Sequence, residues 1–286
     1  MDAKDVRTVG IVGCGLMGSG IVEVVAREGI EAIYLEPTDR LVEAGRGRIE
    51  ASTGRAVERG KMLADERDAV LARISGSTEA SALAEVDLVI EAATEDPEIK
   101  LETFRRLDEV TRDDVVLASN TSSIPIATLG AVTGRPDRVV GMHFFNPPPV
   151  MSLVELTPSL TTSAETLALA RGFGERLGKT VVVSRDHAGF IVNRLLIPFL
   201  CAAIGLLDED FASREDIDAA MSLGMNHPMG PLRLADFIGL DTVLQIAEVL
   251  HAEFRDPRYA PPAGLRRMVD AGHLGRKSGR GFYEYG

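Results

Sequence analysis

The sequence predicts an α/β protein: a doubly wound parallel sheet followed by an all-helical C-terminal domain. Apolar strand-like runs alternate with helix-like stretches as far as Ser184, the pattern of a doubly wound sheet. The strand runs, such as residues 6–12, are apolar with little alternation, as strands buried on both faces are. A glycine-rich turn, Gly13-Cys-Gly-Leu-Met-Gly18, follows the first run and opens the first helix, which makes the sheet Rossmann-type.

The elements follow in order. Residues 6–12 form the first strand, and 17–28 the helix that opens on the glycines. A second strand, 31–35, ends at Glu36. Residues 40–61 read as a long helix, and 65–73 as a further one. Residues 87–90 are a strand, and the helix at 97–111 has Pro97 in its first turn, where a missing N–H is tolerated. Strands follow at 115–119 and 138–144, and Glu155 sits in another short one. Residues 164–177 are helical, and 180–184 close the sheet. Beyond Ser184 the pattern is helical, at 189–207, 213–223, 231–237, 241–254 and 265–271. The boundary is placed at Arg185-Asp186, giving a dinucleotide-binding domain 1–185 and a helical domain 186–286. No internal repeat or low-complexity tract is visible, and 255–264 is the one Pro-rich loop of note.

Composition narrows the function. A chain of 286 residues buries about three-quarters of its unfolded surface, which suits two modest domains. The hydrophobic share of 45% and charged share of 26% are ordinary for a soluble protein. No apolar run reaches transmembrane length, so no membrane partner is expected. With a short polar start before the strand at Val6, no targeting segment is expected. Two cysteines, Cys14 and Cys201, make no disulfide framework, so a cytoplasmic, reducing location is expected. A net charge of −12 speaks against a nucleic-acid partner.

The three glycines of the turn serve different ends. They allow a tight bend, close approach of backbone to a pyrophosphate, and close packing of helix on strand. Cys14 reads as a small filler. Glu36 stands where an acid binds ribose hydroxyls and repels a 2′-phosphate, so NAD is preferred over NADP, although Arg40 lies close by in sequence. By itself the turn would equally serve FAD or another nucleotide. Further polar residues interrupt apolar surroundings: Asn120 and Ser122, His143 and Asn146, Glu155, and Asn193. A nicotinamide site with a histidine and a carboxylate to orient it suits alcohol–ketone chemistry, because removing a hydride from a carbinol requires a base for the hydroxyl proton. Pro147, Pro148 and Pro149 force a turn between His143 and Glu155, so the two side chains can meet.

In these motifs the chain resembles the L-3-hydroxyacyl-CoA dehydrogenase family, in its short 3-hydroxybutyryl-CoA dehydrogenase form. The likeness runs from Val6 to Tyr285. It is carried by Val140-Gly-Met-His-Phe-Phe-Asn-Pro-Pro-Pro-Val-Met151 with Leu-Val-Glu155, by Asp186-His-Ala-Gly-Phe-Ile-Val-Asn-Arg194, and by Asn226-His-Pro-Met-Gly-Pro-Leu232. The resemblance implies reversible, NAD-dependent oxidation of a short L-3-hydroxyacyl-CoA in fatty-acid metabolism. It implies His143 as base, Glu155 as its orienter, and Ser122 and Asn193 on the substrate oxygen. It implies cofactor contacts at Gly13, Gly15, Leu16, Met17, Gly18, Glu36, Glu95, Lys100, Asn120, Ser122, Asn146 and Lys277. Ser52 and Arg59 match its CoA contacts, and its members pair through the helical domain, implying a homodimer.

Plainer readings stand beside these. Ser122 is also a plausible helix N-cap in Ser-Ser-Ile-Pro, Asn193 a polar helix residue, and Glu95 and Lys100 solvated charges. Arg48, Ser52, Arg55 and Arg59 share one helical face, either a local positive field for anionic ligands on an acidic chain or an ordinary solvated face. Thr53-Gly54 departs from the family's usual Leu and charged residue, which admits an acyl-carrier-protein thioester as the alternative substrate. A non-enzymatic NAD-binding homologue is the alternative outside enzymes. The 3-hydroxyisobutyrate dehydrogenase group needs a lysine on the first interdomain helix, where this chain has Asn193 and Arg194. His187, His227, His251 and His273 show no ligand spacing, and no metal is expected.

Overall fold

The structure, a computed structural model, describes residues 2–286. The chain divides into two compact units, one ending at His187 and one beginning at Ala188. The first holds an eight-stranded sheet in the order β3-β2-β1-β4-β5-β6-β7-β8. Its strands are β1 Thr8–Val12, β2 Glu31–Leu35, β3 Ile74–Ser77, β4 Leu88–Glu91, β5 Val116–Ser119, β6 Val139–Phe144, β7 Leu153–Pro158 and β8 Thr180–Val183. All neighbours are parallel except β6 and β7. Strands β4, β5 and β6 are buried along their whole length, as the lack of alternation in their sequences requires. Chain order reverses between β1 and β4, and ligands of such sheets bind beyond the carboxyl ends of the strands at that point.

The first unit's helices are α1 Leu16–Arg27, α2 Asp39–Glu58, α3 Ala64–Ala72, α4 Pro97–Val110, α5 Ile126–Gly130 and α6 Ala164–Arg176. Helix α2 stops short of the expected residue 61 because Gly60 turns to φ 65°. Two elements were not anticipated. Strand β3, Ile-Ser-Gly-Ser, holds one strongly apolar residue, and Gly76 lets Tyr34 and Val42 lie against it: a Cβ there would sit 2.5 Å from the Tyr34 ring. Helix α5 follows Pro125, which offers no side-chain cap. Asp186, sixty residues on, accepts the Ile126 and Ala127 N–H groups instead, each at 2.8 Å. Ser122 is therefore not the cap of this helix.

The second unit packs α7 Val192–Asp208, α8 Arg214–Gly224, α9 Pro231–Ile238, α10 Leu240–Phe254 and α11 Ala263–Asp270 around Ile197, Leu200, Ile204, Leu232, Val243 and Leu250. Helix α7 begins three residues later than the apolar pattern suggests, because Gly189 and Phe190 take φ 77° and 47°. The C-terminal tail is held by two buried carboxylates. Asp236 accepts the Phe282 and Tyr283 N–H groups and the Tyr285 hydroxyl, all at 2.9 Å. Asp218 accepts the Leu232 N–H at 2.7 Å and the Tyr283 hydroxyl at 2.9 Å. Gly281 is required because a Cβ there would collide with the Asp236 carboxylate. Among the described residues no helix is long and apolar enough to cross a membrane.

Asp236→Ala removes the acceptor of three tail hydrogen bonds. It is expected to cost about 3 kcal/mol, read as a lower urea midpoint, with faster hydrogen exchange at the Phe282 and Tyr283 amides. Unchanged exchange at those two amides would mean that the tail is held by something else.

Candidate active site

The dinucleotide turn lies between β1 and α1. Gly13 has φ 88°, and a Cβ there would lie 2.8 Å from the Ala92 carbonyl. A Cβ on Gly18 would collide with the Gly13 carbonyl oxygen. Helix α1 starts at Gly15 with no side-chain cap and no acid in its first turn, so its leading N–H groups and positive dipole end suit phosphates. Leu16 is exposed there, and Met17 half-buried. At the end of β2, Glu36 is buried, and one carboxylate oxygen accepts the Cys14 N–H at 2.5 Å. Arg48 donates to the Cys14 carbonyl at 3.2 Å, so it braces this turn. Cys14 packs beside Gly45 of α2; burial, aided by Glu36, pushes its thiol up to about 12. A close glycine cradle, an uncapped helix start and a strand-end acid all fit a dinucleotide.

A second cluster forms at the ends of β4 and β5. Lys100 is only 1% exposed; it donates to Glu91 at 2.6 Å and lies 3.4 Å from Glu95. It is a buried member of an ion-pair cluster rather than a solvated helix charge. Glu91 also accepts the Ser119 hydroxyl at 2.6 Å and the Ala93 N–H at 2.8 Å. Glu95 Oε1 gathers the Thr121 hydroxyl at 2.5 Å, the Ser122 N–H at 2.9 Å, and the Ser123 and Ser122 hydroxyls at 3.0 and 3.3 Å. Burial alone would raise this carboxyl. The Lys100 charge and the hydrogen bonds outweigh it and hold Glu95 below the usual carboxylate range. Asn120 accepts the Phe144 N–H at 2.8 Å, tying the end of β5 to the end of β6.

The third group lies on the antiparallel pair. His143 of β6 faces Glu155 of β7 directly across the ladder, and Nδ1 lies 2.9 Å from Oε2. Glu155 is completely buried and His143 is 8% exposed. Because β8 pairs with β7 on its other side, Glu155 is no edge-strand charge. The Phe145 ring lies against the imidazole, centroids 4.7 Å apart. Asn146 is exposed at the start of the turn, joined to Pro147 by a cis peptide bond.

Ser52, Arg59, Asn193 and Lys277 complete the expected set. On α2, Ser52 is half-buried and Arg48 and Arg55 are exposed, as is Arg59, which caps the helix end. Thr53 points inward, its hydroxyl on the Ile49 carbonyl at 2.9 Å, while Gly54 faces open space. Asn193 lies half-buried in the first turn of α7, and Lys277 pairs with Asp241 at 2.5 Å; both belong to the second unit. Sequence reasoning missed Glu91 and Ser119. Glu91 left a signal, a carboxylate at the end of an otherwise apolar buried strand.

The family described as "3-hydroxyacyl-CoA dehydrogenase, NAD binding domain" matches residues 8–187, and "3-hydroxyacyl-CoA dehydrogenase, C-terminal domain" matches 189–285. The chain is 51% identical to a 3-hydroxybutyryl-CoA dehydrogenase of Mycobacterium tuberculosis, over 98% of this chain and 99% of that one. It is 48% identical to a probable 3-hydroxybutyryl-CoA dehydrogenase of Deinococcus radiodurans, over 96% and 99%. Among solved structures it is similar to (S)-3-hydroxybutyryl-CoA dehydrogenase of Ralstonia eutropha, with TM-score 0.94 and 47% identity, covering 99% of this chain and 100% of that one.

Burial raises the Cys14 thiol to about 12 and the Cys201 thiol to about 11, which leaves almost no thiolate near neutral pH. An aromatic disulfide reagent at pH 8 is expected to titrate neither in the native protein and both after unfolding in urea. Rapid native labelling would contradict the packing around them.

Proposed function

The chain belongs to the 3-hydroxyacyl-CoA dehydrogenase family of NAD-dependent oxidoreductases, and from that premise we propose that it oxidises 3-hydroxybutyryl-CoA, a short L-3-hydroxyacyl-CoA, to the 3-ketoacyl-CoA, reversibly and within fatty-acid metabolism. The observation that carries the chemistry is the buried 2.9 Å contact between His143 Nδ1 and Glu155. A carboxylate on Nδ1 keeps the proton on that nitrogen and assigns Nε2 to the substrate hydroxyl. His143 then takes the hydroxyl proton, and Glu155 stabilises the resulting imidazolium. Bound NAD supplies the acceptor for the hydride that leaves C3. In the reverse direction His143 returns the proton to the ketone oxygen.

The proposal extends to the other residues of the site. The leading N–H groups of α1, opened by Gly13, Gly15 and Gly18, hold the pyrophosphate, with Leu16 and Met17 alongside, and Glu36 holds the ribose hydroxyls. Ser122 contacts the substrate oxygen; its hydroxyl has only a long 3.3 Å bond to Glu95. Glu95, Lys100, Asn120 and Asn146 shape the nicotinamide end. Ser52 and Arg59 take the CoA nucleotide, where exposed guanidinium groups counter the −12 charge of the chain. For Asn193 as an amide donor, and Lys277 as a cofactor contact, the support is the sequence motif alone. A cytoplasmic location rests on the two free buried thiols. A homodimer is supported by large apolar side chains left exposed on the second unit: Leu195, Phe211, Leu223, Met225 and Phe237.

NADH oxidation with acetoacetyl-CoA tests the reaction, with NADPH and an acetoacetyl-carrier-protein in parallel. Turnover is expected with NADH and acetoacetyl-CoA. His143→Gln is expected to lower kcat by on the order of 10²–10⁴ while NADH binding, read by fluorescence, survives. Undiminished turnover in that variant would remove His143 as base. Light scattering should give twice the chain mass, and Leu223→Glu should shift it toward the monomer; a wild-type monomer would refute the assembly.

A further inference from the structure

The turn joining β6 to β7 is only partly fastened from within. Residues 147–149 are prolines, which bring carbonyls but no N–H groups. Two internal bonds exist, from the Val150 and Met151 N–H groups to the Pro147 carbonyl at 2.9 and 3.0 Å. The carbonyls of Pro148 and Met151 are satisfied from outside. Lys179, between α6 and β8, donates its ammonium to both, at 2.7 and 2.8 Å. Its own N–H is tied to Gly174 at 3.1 Å, and the next N–H, of Thr180, reaches the Ser152 carbonyl at 2.7 Å. The segment carrying the ammonium is therefore fixed. From the other side the turn meets α1: a Cβ on Gly20 would lie 2.6 Å from the Pro148 ring.

Lys179 is 9% exposed, and no carboxylate among the described residues lies within ion-pair distance of it. Burial, and then the neighbouring Arg27, push its pKa down, against a smaller pull from Glu28. A buried cation without a counter-ion is costly to folding, so plain core packing does not account for it. Lysine is also the side chain best fitted to this place, since its compact ammonium carries three donors and can serve two carbonyls at once.

We propose that Lys179 is a positioning residue for the dehydrogenase reaction, its ammonium clamping Pro148 and Met151 so that the turn keeps His143 opposite Glu155. The inference rests on the reaction proposed above. The last registered pair of the hairpin is Phe144 with Val154, and His143 with Glu155 is the next one in. A loosened turn frays the ladder at that end, and a slip of one residue would send Glu155 to the opposite face. Phe145, which lies against the imidazole, is the first residue of the same turn.

The test is Lys179→Cys, assayed before and after alkylation with 2-bromoethylamine, which rebuilds an ammonium of nearly the same reach. A cavity of about 260 Å³ lined by Val24, Arg27, Val150 and Lys179 admits the reagent, while Cys14 and Cys201 are buried. The variant is expected to lose ~10- to ~100-fold in kcat, with the NADH dissociation constant within about threefold of wild type, and alkylation is expected to restore most of the loss. Full kcat in the unalkylated variant, or no recovery after complete alkylation by mass, would overturn the proposal. Wild-type turnover separates the two readings: its absence would fell the reaction, not the clamp. In that case, or if Lys179→Cys proves insoluble, hydrogen exchange at the Val150 and Met151 amides of Lys179→Gln decides. Faster exchange supports the clamp, and unchanged exchange overturns it.

Discussion

Register between β6 and β7 is the constraint on which the site depends. Side chains alternate along a strand, so His143 meets Glu155 only when these two residues stand opposite one another. A carboxylate as buried as Glu155 needs a partner, and the imidazole is there at 2.9 Å. The pairing thus settles both the orientation of the histidine and the cost of burying the acid. The neighbours reinforce it. Strand β8 covers β7 in parallel register, and Asn120 accepts the Phe144 N–H just beyond the histidine. Gly141, opposite Thr157, leaves room for α5: a Cβ there would lie 2.9 Å from Thr157 and 3.0 Å from Ile126. One antiparallel step in an otherwise parallel sheet is what lets two short strands present two such residues side by side.

Charge is distributed with similar economy. The chain carries 31 basic residues against 43 acidic ones, yet two of its five lysines are buried in the first unit. Lys100 lies among Glu91 and Glu95, and Lys179 lies on backbone carbonyls. Neither contributes an open positive surface. On α2 the guanidinium groups of Arg40, Arg48 and Arg55 are exposed, and Arg48 reaches the dinucleotide turn, donating to the Cys14 carbonyl. An arginine keeps its charge regardless of burial, whereas a lysine's pKa shifts readily when buried. On α2, Arg48 and Arg55 stay exposed, whereas the two buried lysines organise backbone and carboxylates.

Much of the fold was legible because apolar runs and glycine positions report local rules. Strands β1, β2 and β4 to β8 follow from apolar runs, and the turn at Gly13 from its steric need. What was not legible depends on partners distant in sequence. Strand β3 owes its place to Tyr34 and Val42, and α5 to a cap from Asp186 sixty residues away. At the site, the prolines between His143 and Glu155 announced a hairpin. The clamp on that hairpin did not show, because Lys179 follows α6 as an ordinary polar residue after a glycine. Lys100 looked like a solvated charge for the same reason: one helix cannot reveal that Glu91 waits on a neighbouring strand.

The Glu95 carboxylate shows how buried charge can prepare a polar group for use. Ionised, it only accepts, and one oxygen collects four donors from Thr121, Ser122 and Ser123. Backbone and threonine bonds of 2.9 and 2.5 Å fix the loop, so the loop does not depend on the Ser122 hydroxyl, whose bond is the longest at 3.3 Å. That hydroxyl can rotate away at little cost. While it points at Glu95 its oxygen is an acceptor, suited to a substrate alcohol; turned outward it is a donor, suited to a ketone. On the proposed reaction both are needed, one for each direction. On that proposal, the carboxylate that anchors the loop leaves the Ser122 hydroxyl free to follow the substrate oxygen as it changes from hydroxyl to carbonyl.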